Sequence, residues 1–121
     1  MFEITVEDSF SSAHQLIGYE GPCENLHGHN WKVKVRIKGK KLGRTGMLMD
    51  FKKAKQLLKE VLSDLDHKNL NELKEFKKTN PTAENIAAVI FFRIKGRLGK
   101  GTGLDSVSVW ESEATCATYS S

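Results

Sequence analysis

Cysteine is scarce in this chain of 121 residues: it has two, Cys23 and Cys116. Two cysteines make no disulfide framework, so a reducing, cytoplasmic setting is expected. No apolar run approaches the roughly 20 residues of a membrane-spanning helix. The first residues alternate, Phe2-Glu3-Ile4-Thr5-Val6, where a secretory leader would place a basic segment before an apolar one. No leader is read there. Repeats, linkers and low-complexity tracts are missing too. With 39% hydrophobic and 28% charged residues, the chain reads as one soluble globular domain over 1–121. Histidine is also sparse, at four residues, so the placement of each is informative.

The net charge of +4, from 19 Lys+Arg against 15 Asp+Glu, is unevenly spread. Between Lys32 and Lys59 eleven basic residues meet one acid, Asp50. Such a block suits an anionic partner, nucleic acid or a phosphorylated small molecule. It equally suits the solvated faces of a strand and a helix.

Phe2, Ile4 and Val6 share one face of a first strand running to His14, and Phe10 and His14 continue that parity if no bulge intervenes. A loop with Gly21-Pro22 follows. In the second strand His27, His29, Trp31, Val33, Val35 and Ile37 share one face, and Lys32, Lys34, Arg36 and Lys38 the other. Gly39 to Gly43 reads as a turn and Gly46-Met47-Leu48-Met49 as a short returning strand. Asp50 caps a first helix whose stripe is Phe51, Ala54, Leu58, Val61 and Leu65, ending near Asp66-His67. Asn80-Pro81-Thr82 opens a second helix with proline at its first position. That helix carries Ile86, Ala87, Val89, Ile90, Ile94 and Leu98. Val107 and Val109 mark a third strand, and Thr115 to Tyr119 a fourth. The order ββααββ predicts an α+β fold: a four-stranded antiparallel sheet with two helices packed on one face. Its edge strands invite pairing with further copies, so a homo-oligomer is expected.

His27-Gly28-His29 is the sharpest local feature. Residues two apart on a strand point the same way, and the glycine allows close approach to the backbone. Antiparallel pairing brings His14 beside them. Three neutral imidazoles match a zinc site with an open fourth position. Cys23, four residues before His27, could be a further ligand, a base or nucleophile, or inert. Cys116 reads as packing. Asp66 and His67 could polarise one another or a nearby thiol, or His67 could simply favour a helix C-terminus. Glu111 shares the parity of Val107 and Val109, so a buried carboxylate there wants a partner with paired N–H donors, unless the strand ends first. Glu84 suits the positive end of the second helix.

These residues resemble the 6-pyruvoyl-tetrahydropterin synthase and 6-carboxy-tetrahydropterin synthase family over nearly the whole chain. The likeness rests on Ser12-Ala13-His14, Cys23 through Asn30, Gly46 through Phe51, Leu65 through Asn71, Pro81 through Asn85, and Val109 through Ser112, in that order. It implies that His14, His27 and His29 hold zinc, and that Cys23 is the catalytic base, completed by Asp66 and His67. It also implies that Glu111 anchors the pterin ring, with Thr82, Ala83 and Glu84 in a second ring-contacting segment. The implied fold is the tunnelling fold, in which subunits join edge to edge into barrels, two barrels stack into a hexamer of two trimers, and active sites lie between subunits.

The implied substrate is 7,8-dihydroneopterin triphosphate. One branch of the family eliminates triphosphate to give 6-pyruvoyl-tetrahydropterin. The other also releases acetaldehyde and gives 6-carboxy-tetrahydropterin, on the 7-deazaguanine (queuosine-type) route to modified tRNA bases. The short Cys23-to-His27 spacing resembles the carboxy-type branch, although some relatives use a glutamate in this loop, and Glu24 stands beside Cys23. The competing class is a basic oligomeric nucleic-acid-binding sheet, which leaves the histidines, Asp66-His67 and Glu111 without a role. No aromatic platform is evident on the basic strand, which weighs against single-strand binding; no nucleic-acid partner is expected, and with no long apolar run no membrane partner either.

Overall fold

A computed structural model of the chain describes residues 1–18, 25–99 and 103–121. The elements are β1 (Phe2–His14), β2 (His27–Gly39), α1 (Phe51–Ser63), α2 (Ala83–Lys95), β3 (Gly103–Ser112) and β4 (Thr115–Tyr119), with two short 3₁₀ turns between the helices. The strands form one sheet in the order β1-β2-β3-β4, and each neighbouring pair is antiparallel. The α+β expectation therefore holds, with both helices on one face.

β1 and β2 pair without a register shift from Phe2↔Gly39 to His14↔His27. The inward parity thus runs unbroken along β1 through Val6, Phe10, Ser12 and His14, all buried. On β2 the same face buries Trp31, Val33, Val35 and Ile37. α1 contributes Ala54, Leu58, Val61 and Leu62, and α2 contributes Ile86, Ala87, Ile90, Phe91 and Ile94. Burying each Val, Leu, Ile or Phe side chain of this set is worth about 1.5–3 kcal/mol, so this single cluster holds the sheet and helices together.

Gly46–Met49 is not a strand. β2 already pairs with β1 on one side and β3 on the other, so a chain returning from β2 finds no free edge. It instead folds into a turn with Gly46 at φ 84°. Leu48 then drops onto Gly39, where an added Cβ would collide with its Cδ1.

Asp50 caps α1 as expected, its side chain accepting from the Lys52 N–H at 2.9 Å. The helix ends at Ser63, ahead of Asp66. Its buried stripe starts one turn late, and Phe51 is exposed. In α2 the cap is Thr82, which accepts from the Asn85 N–H, so Pro81 lies outside the helix and not at its first position. No helix among the described residues is long and apolar enough to cross a membrane.

Candidate metal centre and adjoining cleft

The β1–β2 register places His14 opposite His27 and Ser12 opposite His29, so the three imidazoles meet at one end of the sheet. Ring centroids lie 4.6 Å apart for His14–His27, 5.1 Å for His14–His29 and 4.7 Å for His27–His29. Trp31 forms the floor, fully buried, with edge contacts to His14 at 4.9 Å and His29 at 5.1 Å. Its indole N–H donates to the Ser12 carbonyl at 3.2 Å.

Hydrogen bonds orient two of the rings. His14 Nδ1 is 2.8 Å from the Pro81 carbonyl, and His27 Nδ1 is 2.7 Å from the Asn25 carbonyl. A carbonyl only accepts, so each Nδ1 carries the proton and each Nε2 presents a lone pair. Those two Nε2 atoms lie 3.0 Å apart. Two facing lone pairs repel unless a proton or a cation lies between them. Burial pushes the His14 pKa below the ordinary histidine value and the nearby His27 adds to that, against the opposing pull of the Pro81 carbonyl. His29 is likewise lowered, chiefly by desolvation. Its Nε2 is buried without a hydrogen-bond partner. Facing lone pairs on His14 and His27 and an orphaned buried nitrogen on His29 fit a divalent metal ion.

Glu111 completes the cluster: one ligand atom from each of His14, His27, His29 and Glu111 lies within 4.8 Å of the others. Glu111 Oε1 stands 3.4 Å from His29 Nε2, longer than an ordinary hydrogen bond. The expectation of a buried carboxylate needs adjustment, since the side chain is 32% exposed. The cause is a bulge. β3 pairs Trp110 with Cys116 and Ser112 with Thr115, so Glu111 is the extra residue between them. Bulges re-aim side chains, and this one turns Glu111 between the histidines and a cleft.

The cleft has a volume of about 570 Å³ and is lined by Ala83, Glu84, Glu111 and residues 115–118 of β4. Two of the three residues of the expected second ring-contacting segment, Ala83 and Glu84, thus face the same space as Glu111. Thr82 lies just before them, with its hydroxyl engaged in the α2 cap at 3.1 Å. Cys116 is exposed in this cleft, which corrects its reading as a packing residue. On an edge strand, its side of the sheet has no layer to bury it.

Asp66 and His67 do not join the histidine cluster; they sit at the outer edge of β1. The Ser11 N–H donates to Asp66 Oδ1 at 2.8 Å, and the His67 N–H donates to the Ser11 carbonyl. Asp66 Oδ2 is 2.8 Å from His67 Nδ1. The Ser11 N–H, then His67, hold the Asp66 carboxyl below its ordinary pKa. His67 has φ 55°, a left-handed conformation uncommon outside glycine, and its side chain is 82% exposed. α1 ended at Ser63, so His67 lies beyond the turn in which a helix dipole would favour it. Cys23 and Glu24 lie outside the described residues.

The basic face of β2 is partly compensated. Lys32 pairs with Glu7 at 2.9 Å and Lys38 with Asp105 at 3.2 Å. Trp110 lies on this face, with Lys32 and Lys34 Nζ at 5.0 and 5.4 Å from its ring. The face thus carries one aromatic ring, short of a stacking platform. Its alternation with Val107 and Val109 along β3 puts the ring on this side, and the β2–β3 register sets it opposite Lys32.

Trp31 and the Pro81 and Asn25 carbonyls went unassigned in the sequence. Trp31 shares the parity of His27 and His29, so its place under them was readable. The carbonyls have no sequence signal.

Residues 3–121 match the family model described as 6-pyruvoyl tetrahydropterin synthase. A Synechocystis protein named 6-carboxy-5,6,7,8-tetrahydropterin synthase is 38% identical over 98% of this chain and 93% of its own length. A Pyrococcus furiosus protein named dihydroneopterin monophosphate aldolase is 39% identical over 85% of this chain and 83% of its own. The solved structure of Caenorhabditis elegans 6-pyruvoyl tetrahydropterin synthase aligns with a TM-score of 0.87 at 34% identity, covering 100% of this chain and 97% of that one.

Proposed function

The chain belongs to the 6-pyruvoyl tetrahydropterin synthase family of pterin lyases, and from that premise we propose that it converts 7,8-dihydroneopterin triphosphate and water into 6-carboxy-5,6,7,8-tetrahydropterin, acetaldehyde and triphosphate. The observation that carries this is the junction of a histidine-lined metal centre with the Glu111 cleft. One end of the substrate is a flat ring with paired N–H donors, and the other is a hydroxylated chain. The site offers a carboxylate for the first and a metal position for the second.

His14, His27 and His29 hold zinc in this reading. The ion supplies Lewis acidity, lowering the pKa of a substrate hydroxyl and of its neighbouring C–H. Glu111 accepts the ring's amino and N–H protons in parallel, which fixes the side chain over the histidines. Cys23 acts as the base that moves protons between side-chain carbons. Asp66 orients His67 through the 2.8 Å contact and leaves its Nε2 free to exchange a proton with the thiol.

Within one chain, Asp66 and His67 sit at the β1 edge, whereas the Glu111 cleft opens at β4. β1 and β4 are the outermost strands of the sheet. Edge-to-edge joining of copies would bring one subunit's β1 edge to its neighbour's cleft, which supports sites shared between subunits; the family likeness supplies the count, a homohexamer of two trimers.

The carboxy product is favoured by the short Cys23-to-His27 spacing and by the name of the Synechocystis relative. The C. elegans likeness supports a second reading, elimination of triphosphate to 6-pyruvoyl-tetrahydropterin. Mass spectrometry of the products from dihydroneopterin triphosphate, with trapping of aldehydes, separates the two. The expected result is 6-carboxy-tetrahydropterin with one acetaldehyde per turnover. A pyruvoyl product without acetaldehyde assigns the chain to the other branch, and turnover of only the monophosphate excludes both.

Glu111→Gln is expected to weaken pterin binding about tenfold, because a charge-assisted hydrogen bond is worth roughly 1.5–3 kcal/mol. An amide turns one donor toward the ring's own donors. Calorimetric titration with an unreactive pterin checks this, and unchanged affinity removes the anchor role.

A further inference from the structure

We propose that Glu111 is a displaceable fourth ligand of the metal: its carboxylate closes the centre while the cleft is empty and leaves for the pterin N–H pair when a ring enters. This rests on the pterin reading above and adds a coupling between ring recognition and access to the metal.

Glu111 belongs to the same four-residue donor group as the three histidines. Its Oε1 is 3.4 Å from a His29 Nε2 that has no hydrogen-bond partner. That spacing is long for a hydrogen bond but ordinary for two atoms sharing a metal, since Zn–N and Zn–O distances of about 2.0–2.2 Å in tetrahedral geometry set neighbouring ligand atoms more than 3 Å apart. The same side chain lines the cleft. It stands at the bulge between Trp110 and Ser112, where it has no cross-strand partner to fix it.

A carboxylate held by both duties at once would leave the ring anchored but the metal position filled. Alternation removes the conflict. No carbon–oxygen or carbon–carbon bond forms or breaks and no proton is transferred: the carboxylate exchanges one electron-pair acceptor for two N–H donors. The centre then opens only in company of a ring that satisfies Glu111. Hydroxylated compounds without such a ring meet a closed site, so selectivity arises before chemistry.

The test replaces zinc by cobalt(II) in the full-length protein and reads its d–d absorption, with zinc affinity measured separately by chelator competition. Glu111→Gln is expected to change the ring-free spectrum and weaken zinc binding at least about tenfold, the scale on which even outer-shell partners of a metal act. Adding a dihydropterin without a hydroxylated side chain should move the wild-type spectrum toward that of E111Q and leave the E111Q spectrum in place. Identical ring-free spectra and equal zinc affinities in the two proteins overturn the ligand role. Calorimetrically verified ring binding that leaves the wild-type spectrum unmoved overturns the exchange. Failure of the dihydropterin to bind at all overturns the pterin reading together with the exchange, while the ring-free comparison still decides whether Glu111 is a ligand. Circular dichroism confirms that E111Q is folded.

Discussion

His27→Ala should leave a folded protein that retains almost no zinc after dialysis, where the parent retains about one ion per chain. His27 is the ligand to remove because it is half-buried, whereas His14 is fully enclosed beside Trp31 and its truncation would open a cavity in the core. Losing His27 leaves the His14 Nε2 without its neighbour at 3.0 Å and the centre with one imidazole fewer. Lewis-acid stabilisation is worth several kcal/mol and each ~1.4 kcal/mol is a factor of ten in rate. Turnover should therefore fall by roughly three orders of magnitude. Elemental analysis and circular dichroism on one preparation provide the check. Full zinc in a folded His27→Ala protein would place the metal elsewhere and leave the facing lone pairs of His14 and His27 unexplained.

The metal centre was legible because its geometry is local. His27 and His29 are two apart on a strand, and an unbroken β1–β2 register carries His14 to them without a bulge. Glu111 was only half legible. Its parity with Val109 pointed inward, but a bulge on β3 turned it part-way out, and a bulge depends on how two strands pair. Asp66 and His67 show a different limit. Their sequence motif was plain, but their place follows from bonds to Ser11, 55 residues away for Asp66, and nothing along the chain announces that partner. Gly46–Met49 failed as a strand for a topological reason: β2 is central in the sheet. Trp110 alternates with Val107 and Val109 along β3, so its face was legible, while its place opposite Lys32 follows from the β2–β3 register.

Cys23→Ala should keep its zinc and its fold while losing about 10²–10⁴-fold in turnover, the usual contribution of a positioned general base. A thiol used as a ligand would behave otherwise, and loss of metal together with activity would make it one. His67→Ala should produce a smaller loss, also with zinc retained, because its side chain is 82% exposed at the β1 edge and makes its close contact with Asp66, away from the metal ligands. The two variants together test where the site is assembled. In the shared-site arrangement, Cys23 of one subunit works with Asp66 and His67 of a neighbour. Each variant alone is then impaired at every site. Unfolding the two together and refolding them as a mixture gives hybrids in which about a quarter of the interfacial sites carry both native residues, by random assortment around a closed ring. Activity should recover to that fraction of the parent. A site built within one chain predicts no recovery, because every chain in the mixture carries a lesion. Full recovery is excluded in either case, so the measured fraction decides between them. Light scattering on the same mixture should report the parent's oligomer; a monomer that turns over substrate would contradict the shared site directly.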